Sequence, residues 1–213
     1  MFLKKSWSDC RGSPAFSFQL FASVAVLIII MFLLPGFFNF IQQRKGWVLQ
    51  DSLLRLIPAR DVSFITFTFI YSALIITAIT LTGYPLLLLR TLQSYCFLLI
   101  IRILCIWLIP LNEPPELIFL NDPFVSSIGY GGKPITKDLF FSGHTATLFL
   151  LFLCAPHRWL KIFLLLITIA VATCVLIQHV HYVVDVIAAP FFAWFSYKVF
   201  FNRHSGKLIN TSQ

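Results

Sequence analysis

The sequence contains little charge. Charged residues make up 11% of its 213 positions, 59% are hydrophobic, and the mean hydropathy is +0.88. A soluble domain carries roughly 25% charged residues and about half apolar ones. The shortage of charge therefore excludes an ordinary soluble domain and predicts an all-α, polytopic membrane protein whose helices face lipid and each other.

Acidic residues are especially few, with 8 Asp and Glu against 16 Lys and Arg, which gives a formal net charge of +8. The basic residues are scattered at the ends of apolar runs and form no cluster interleaved with aromatics, which nucleic-acid binding needs. They are typical of headgroup-facing anchors. We therefore predict contact with the lipid bilayer and membrane lipids, and no nucleic-acid partner. No protein partner can be inferred.

Paired cysteines are also lacking. None of the five cysteines forms a CxxC motif, and four of them lie inside apolar runs, so we predict small buried hydrophobes rather than a disulfide or zinc framework. No A-x-A-like cleavage site accompanies the first apolar run, which predicts a retained helix and not a cleaved signal peptide.

The apolar runs predict six transmembrane helices in a single membrane domain that covers residues 1–213. The spans are predicted at about residues 18–38, 62–82, 86–111, 139–155, 160–178 and 180–201. Between the first two, residues 48–60 have the apolar spacing of a helix lying in the interface. Residues 112–138 are rich in Pro and Gly and cannot form a span, and residues 202–213 are predicted to form a flexible tail.

Two histidines are predicted to meet at one membrane face. His144 stands near the start of the fourth span and His181 at the start of the sixth, and the two crossings between them return the chain to the same side. Lys and Arg are distributed nine to six in favour of an inside N-terminus. That orientation predicts that the shared face is non-cytoplasmic.

His181 and Asp185 are four residues apart, which predicts that they share one helical face. A carboxylate there would accept a hydrogen bond from one imidazole nitrogen and leave the other as a nucleophile. Asp185 stands in an otherwise apolar helix, where an ionisable group costs at least ~2.5 kcal/mol at the bilayer centre and commonly marks function. His179 is two residues earlier and is predicted to face elsewhere.

The stretch Ser142-Gly143-His144 is predicted to begin the fourth span. Ser142 is a good N-cap, and free N–H groups at a helix start suit a phosphate. Gly143 would allow close approach to the backbone, and His144 could protonate a leaving oxygen. Two other interpretations are an amphipathic interface anchor and a metal site. We predict no metal and no cofactor, because His179 is off-face and no repeated His-rich motif is present.

These residues resemble the type 2 phosphatidic acid phosphatase superfamily, whose shared core is an SGH motif followed by H-x-x-x-D. "KDLFFSGHT" (137–145) and "HVHYVVDV" (179–186) are more similar to its sphingomyelin synthase-like branch. "YCFLLIIR" (95–102) and "IPARD" (57–61) resemble two weaker motifs of that branch. The two strong motifs cover about 50 residues.

The resemblance implies that His181 is the nucleophile that forms a phosphohistidine, that Asp185 is its partner, and that His144 is the acid that later acts as base. It also implies substrate contacts from the residues around them: Ser142, Gly143, Thr145, Asp138 and Tyr182.

The sequence departs from the phosphatase branch in its cationic residues. The K-x6-R-P signature is missing, and Val175 stands six residues before His181 where that branch has Arg. The possible substitutes are Arg102, Lys133, Lys137 and Arg60. Arg102 is the best of them, because an intramembrane arginine needs a partner; a purely structural or snorkelling role is its alternative.

Three functions follow as hypotheses. The first is a lipid phosphotransferase that moves a phospho-headgroup from a glycerophospholipid onto a lipid hydroxyl such as ceramide or diacylglycerol. The second is a lipid phosphate phosphatase that uses water as the acceptor. The third is a non-catalytic membrane scaffold, against which the intact set of two histidines and an aspartate argues. The compact chain resembles bacterial enzymes, so we expect the bacterial cell membrane as its location.

Overall fold

A computed structural model describes residues 6–120 and 135–202. Within these ranges the chain forms helices and no named strand, which confirms the all-α prediction. The helices, numbered here in chain order, are α1 (Trp7–Arg11), α2 (Pro14–Gln43), α3 (Ser63–Thr82), α4 (Pro85–Leu108), α5 (Gly143–Cys154), α6 (Arg158–Ile177) and α7 (Val183–Phe201). Lys133 and the predicted tail from residue 203 onward lie outside the described ranges.

Five of the described helices, α2, α3, α4, α6 and α7, are long and apolar enough to cross a membrane. The chain is thus a multi-pass membrane protein. The fourth span was predicted at about residues 139–155, but the helix found there, α5, has only 12 residues. At 1.5 Å per residue it rises about 18 Å, which is short of the ~30 Å hydrocarbon core.

Local chemistry explains why α5 is short. The Ser142 side chain accepts the N–H of Thr145 and so begins the helix, while the extended Ala155 precedes Pro156 and ends it. The preceding residues, which were predicted to be helical, are not: Phe140 has a φ of 58°. Phe141 and Ser142 are nevertheless completely buried. A non-helical segment therefore enters the bundle, which is tolerated at membrane depth only where protein surrounds it.

The core of the bundle lies around α5. On one side α3 and α6 pack together through buried residues such as Ala73, Leu164 and Val171. On the other side α5 and α7 meet through Ala146, Ala189 and Ala193, all of which are completely buried. Alanines at a helix interface let two backbones approach closely, which is the usual way in which helices associate in lipid. α2 is more peripheral and packs mainly on α4.

Within the segment between α2 and α3 (residues 44–62), residues 48–60 were predicted to form an interfacial helix, and that prediction is wrong. Its helical part is one 3-10 turn, Leu54–Leu56. Trp47 instead exchanges backbone hydrogen bonds with the segment after α4, donating to Pro110 O at 3.0 Å and accepting from Asn112 N at 2.9 Å. Gly46 permits this pairing, since a Cβ there would lie 2.6 Å from the Leu111 carbonyl carbon. The segment therefore combines one short turn of its own with hydrogen bonds to other parts of the chain.

The five cysteines are all free of disulfide bonds, and four of them are buried; of the four in apolar runs, Cys105 is only half-buried, whereas Cys10, outside these runs, is buried. The buried ones are Cys10, Cys96, Cys154 and Cys174.

Candidate active site

The two histidine motifs are in direct contact. The Ser142 N–H, immediately before α5, donates a hydrogen bond to the backbone carbonyl of Asp185 in the first turn of α7, at 3.0 Å. The two helix starts thus lie side by side, at what we call the site end of the bundle. This adjacency is the one that counting the crossings predicted.

At the start of α7, the imidazole of His181 faces the carboxylate of Asp185. The Nδ1–Oδ2 distance is 3.3 Å, and the same oxygen accepts the Tyr182 N–H at 3.2 Å. Both side chains are buried, with 5% and 0% exposure. A carboxylate that accepts Nδ1–H leaves the lone pair on Nε2, which is the arrangement of an activated histidine.

The pair is not stacked on a helix, as the spacing of four had suggested. α7 begins only at Val183, so His181 lies in the turn before it. Asp185 reaches back over the first turn because it also caps the Tyr182 N–H. His179, with a φ of 54°, is turned away toward Ile57 O, which its Nε2 approaches at 2.9 Å.

At the start of α5, the side chains of Ser142 and Thr145 are bonded to each other. Their hydroxyl oxygens lie 3.0 Å apart, and Ser142 Oγ also accepts the Thr145 N–H at 3.4 Å. Both residues are buried. Their hydroxyls therefore build the helix start, and the N–H groups that follow, at Gly143 and His144, are its first two.

Arg102 of α4 lies against Gly143. A Cβ at Gly143 would stand 2.7 Å from the guanidinium carbon of Arg102, so the glycine makes room for this side chain. The sequence had predicted room for a phosphate instead. Since Arg102 precedes the end of α4 by six residues, its Cα lies about 9 Å below that end of the helix. A full positive charge thus stands beside the helix start, within the bundle.

The guanidinium of Arg102 is held from several sides. It forms an ion pair with Asp138 at 2.7 Å, and it donates hydrogen bonds to the backbone carbonyls of Phe141 and Asp138. These carbonyls belong to the non-helical segment before α5 and would otherwise lack partners in the bundle. Arg102 therefore has a structural role in addition to any role toward substrate. It stays available at one edge, where its side chain is 10% exposed.

A cavity of about 270 Å³ opens beside this arginine. Its polar end is formed by Arg102, Asp138 and His144, and the rest is mainly apolar. The apolar walls come from four helices: Leu34 and Phe38 of α2, Ile70 and Leu74 of α3, Leu98 and Ile103 of α4, and Leu148 of α5. The cavity borders His144 but not His181, which is buried behind it.

Other residues predicted to contact substrate are already engaged. Lys137 donates from Nζ to the carbonyl of Arg44 at 2.6 Å and so fastens the end of α2. The hydroxyl of Tyr182 donates to Asn112 O at 3.0 Å and accepts the Leu49 N–H at 3.2 Å. Burial, with smaller contributions from nearby carboxylates, raises the pKa of Tyr182. Arg60 is exposed on the segment between α2 and α3.

Sequence reasoning missed Gln178, which is completely buried just before the second motif. Its side-chain amide donates to Ser63 Oγ at 2.7 Å, to Phe119 O at 3.0 Å and to Asp61 Oδ1 at 3.3 Å. The backbone N–H and hydroxyl of Ser63 lower the pKa of Asp61. Gln178 thereby ties both connecting segments to the turn that carries His181. An amide at the end of an apolar run was the available signal.

Asp51 was missed as well, and no local pattern marks it. Its carboxylate accepts the N–H of Val183 at 2.8 Å and the N–H of Leu54 at 3.0 Å.

The structure does not support a metal site: among residues 6–120 and 135–202, no three His, Cys, Asp or Glu side chains are grouped as ligands.

Residues 137–204 match the family model described as PAP2 superfamily C-terminal. The matched segment is about a third of the chain and contains both histidine motifs. No curated protein matches the chain. Members of the PAP2 superfamily are phosphatases and phosphotransferases, so the match supports an enzyme of that superfamily.

Proposed function

We propose that the protein is a lipid phosphotransferase that acts through a phosphohistidine on His181. Its donor would be a glycerophospholipid, and its acceptor a lipid hydroxyl such as that of ceramide or diacylglycerol, as the resemblance to the sphingomyelin synthase-like branch implies. The observation that carries the proposal is the contact between the motifs. Asp185 orients His181 with its side chain and holds Ser142 with its backbone carbonyl.

In the first half-reaction, the Nε2 lone pair of His181 attacks the phosphorus of the donor. The bond between phosphorus and the diacylglycerol oxygen breaks, and His144 gives that oxygen a proton. The headgroup phosphate stays on His181. In the second half-reaction, His144 takes the proton of the acceptor hydroxyl, whose oxygen attacks phosphorus and releases His181. Each proton and bond is accounted for by these two histidines.

The start of α5 suits the phosphate of the donor. The N–H groups of Gly143 and His144 lie at a helix N-terminus, where partial positive charge favours anions. Arg102 adds a full charge beside Gly143. Phosphoryl transfer depends mainly on positioning and on such charge stabilisation.

The shape of the cavity supports a lipid substrate. It joins a polar end at Arg102 and His144 to apolar walls inside the bundle, which suits a molecule with a phosphate at one end and an acyl chain at the other. The proposed location is a cell membrane, with the site end on the non-cytoplasmic side.

A lipid phosphatase is the second candidate, and the superfamily match favours it equally. The donor would then be a lipid phosphate, His181 would again be the nucleophile and would carry a phosphoryl group without a headgroup, and water would replace the lipid hydroxyl in the second half-reaction. The lack of the K-x6-R-P signature argues for the transferase.

One experiment separates the two candidates. Purified protein is incubated with phosphorus-labelled phosphatidylcholine, phosphatidylethanolamine, phosphatidylglycerol and phosphatidic acid, together with ceramide and diacylglycerol, with and without EDTA. We expect a new labelled phospholipid whose formation EDTA does not prevent. Labelled water-soluble phosphate or phosphate ester as the only product would support the phosphatase instead. Absence of any product and of any phosphoenzyme, from protein that is shown to be folded, would contradict both.

A further inference from the structure

The first N–H of α7 is capped by a residue from a distant part of the chain. Val183 is the first residue of α7, and its N–H donates to Asp51 Oδ2 at 2.8 Å. Asp51 stands 132 positions earlier, in the segment between α2 and α3. Its other oxygen accepts the N–H of Leu54, so both carboxylate oxygens are held by hydrogen bonds.

The residue at the N-cap position of α7 is not one of the usual capping residues, and an N-cap side chain would in any case accept the N–H of the second or third helical residue and not that of Val183. N-caps are usually Ser, Thr, Asp or Asn, whose short side chains bond back to the helix. Here the position is occupied by Tyr182, whose hydroxyl is bonded to Leu49 and Asn112 instead. The Leu49 N–H donates to the Tyr182 hydroxyl, and the Asp51 carboxylate accepts the Val183 N–H. One short stretch of the chain therefore holds the start of α7 at two points.

We infer that Asp51 is a positioning residue for the phosphotransfer step, and that it fixes the turn bearing His181 by capping α7. The inference rests on the proposed role of His181. His181 is directly followed by Tyr182, whose hydroxyl is held by Leu49 and Asn112, and only Tyr182 separates it from the capped Val183. Asp51 thus touches neither the substrate nor the reacting atoms, and it acts through the backbone of α7.

The consequence is a specific kinetic pattern. Asp51 lies away from the cavity, so its loss should not alter donor binding, which uses the start of α5. It should disturb the approach of His181 to phosphorus, for which small displacements are costly. Loss of a cap corresponds to about a fivefold effect, and misplacement of the nucleophile by about 1 Å to roughly a hundredfold one.

The test uses full-length Asp51→Ala and Asp51→Asn proteins, with the labelled lipid mixture described above. We expect kcat of Asp51→Ala to fall by about 5- to 100-fold while KM for the donor changes less than about twofold. Asp51→Asn should recover part of kcat, because its one amide oxygen can accept the Val183 N–H while the Leu54 N–H loses its acceptor. Asp9→Ala is the matched control: Asp9 accepts the Ser6 N–H at the start of α1, so its removal also deletes a cap, but not one at α7.

Three results would overturn the inference: wild-type kcat in Asp51→Ala, a rise in KM at unchanged kcat, or an Asp51→Asn protein as impaired as Asp51→Ala. If Asp51→Ala fails to fold, Asp51→Asn is compared with the wild type: a lower kcat at unchanged donor KM supports the inference, and wild-type kcat or a raised KM overturns it. The proposed function is tested separately by the labelled phosphoenzyme of the wild-type protein. Label on His181 together with any of these three results would refute the role of Asp51 only, whereas turnover without label on His181 would refute the proposed function.

Discussion

The starts of α5 and α7 lie side by side, yet their surroundings carry opposite charge. The start of α5 is capped by the neutral hydroxyl of Ser142, and the guanidinium of Arg102 lies against Gly143. The start of α7 instead carries two carboxylates, Asp51 on the Val183 N–H and Asp185 on the Tyr182 N–H. Both helix starts bear the same partial positive charge of a helix N-terminus. At α7 the protein places carboxylates against this charge, whereas at α5 it places Arg102, which is itself paired with Asp138.

The difference assigns the two helix starts to two tasks. An incoming phosphate is favoured where N–H groups and a cation stand together, which is at α5. At α7 the protein supplies the anions itself, and one of them, Asp185, orients the His181 imidazole. A substrate phosphate bound at α5 would therefore be presented to a nucleophile held at α7. The Ser142–Asp185 backbone hydrogen bond sets the spacing between the two.

The nucleophile itself provides the largest test of the role assigned to α7. His181→Ala should lower kcat by several orders of magnitude, so that turnover is effectively abolished, as removal of a catalytic nucleophile commonly does. The measurement is acid-labile label on the protein after incubation with labelled lipid. Label trapped on the His181→Ala protein would show that another residue is the nucleophile.

The orienting carboxylate should have the next largest effect. Asp185→Asn replaces the carboxylate by a neutral amide that no longer fixes the tautomer of His181, and the same change in a serine triad costs about 10⁴-fold in kcat. We expect a loss of that order, measured as kcat with saturating donor. A rate near that of the wild type would make Asp185 a structural cap of Tyr182 and nothing more.

The cation at α5 is tested by Arg102→Ala, for which we expect a loss of about 10²- to 10³-fold in kcat/KM, as for other donors to a developing charge. The structural role of Arg102 complicates this variant, because it leaves Asp138 without its ion-pair partner. Because the Asp138 side chain is 32% exposed, loss of this partner should lower thermal stability by less than the loss of a partner in a fully buried pair does. The Arg102→Ala/Asp138→Ala double variant is the control, read by thermal unfolding and by kcat/KM.

The double variant should regain stability but not activity. If it regains both, Arg102 serves only to hold the segment before α5, and the charge difference between the two helix starts has no part in substrate binding.

The smallest expected effect concerns the cavity beside α5. Leu74→Phe should narrow its apolar wall and lower kcat/KM for long-chain donors by about tenfold, while short-chain donors are less affected; overpacking penalties of 1–3 kcal/mol set this scale. Ile75→Phe is the control, because Ile75 is 57% exposed and is not part of the cavity wall. Equal losses of kcat/KM for long-chain and short-chain donors would show that the cavity does not bind the acyl chain.

The sequence was most informative where the spacing of apolar runs decided the outcome. Counting two crossings between His144 and His181 predicted that both motifs lie at one end of the bundle, and the Ser142–Asp185 contact is in line with it. The all-α architecture followed from the shortage of charge. Both inferences depend only on the composition of the chain and on the lengths of its apolar runs, and neither requires knowledge of which distant residues meet.

The sequence was least informative where a distant partner decides the local structure. Nothing near Asp51 indicates that it caps α7, and nothing near Arg102 indicates that it bonds to the carbonyls before α5. That second interaction lets residues 139–142 leave the helix, so it also explains why α5 is shorter than its apolar run. The pairing of His181 with Asp185 was predicted, but by helical stacking, whereas the structure forms it through a turn.

The role of each helix start is tested most directly by a structure of the protein with orthovanadate, a mimic of the transferring phosphoryl group. The account predicts that vanadate oxygens bind the N–H groups of Gly143 and His144 together with Arg102, with His181 Nε2 in line with the vanadium. Vanadate bound at the start of α7, with Asp51 displaced, or bound at α5 but out of reach of His181, would contradict it.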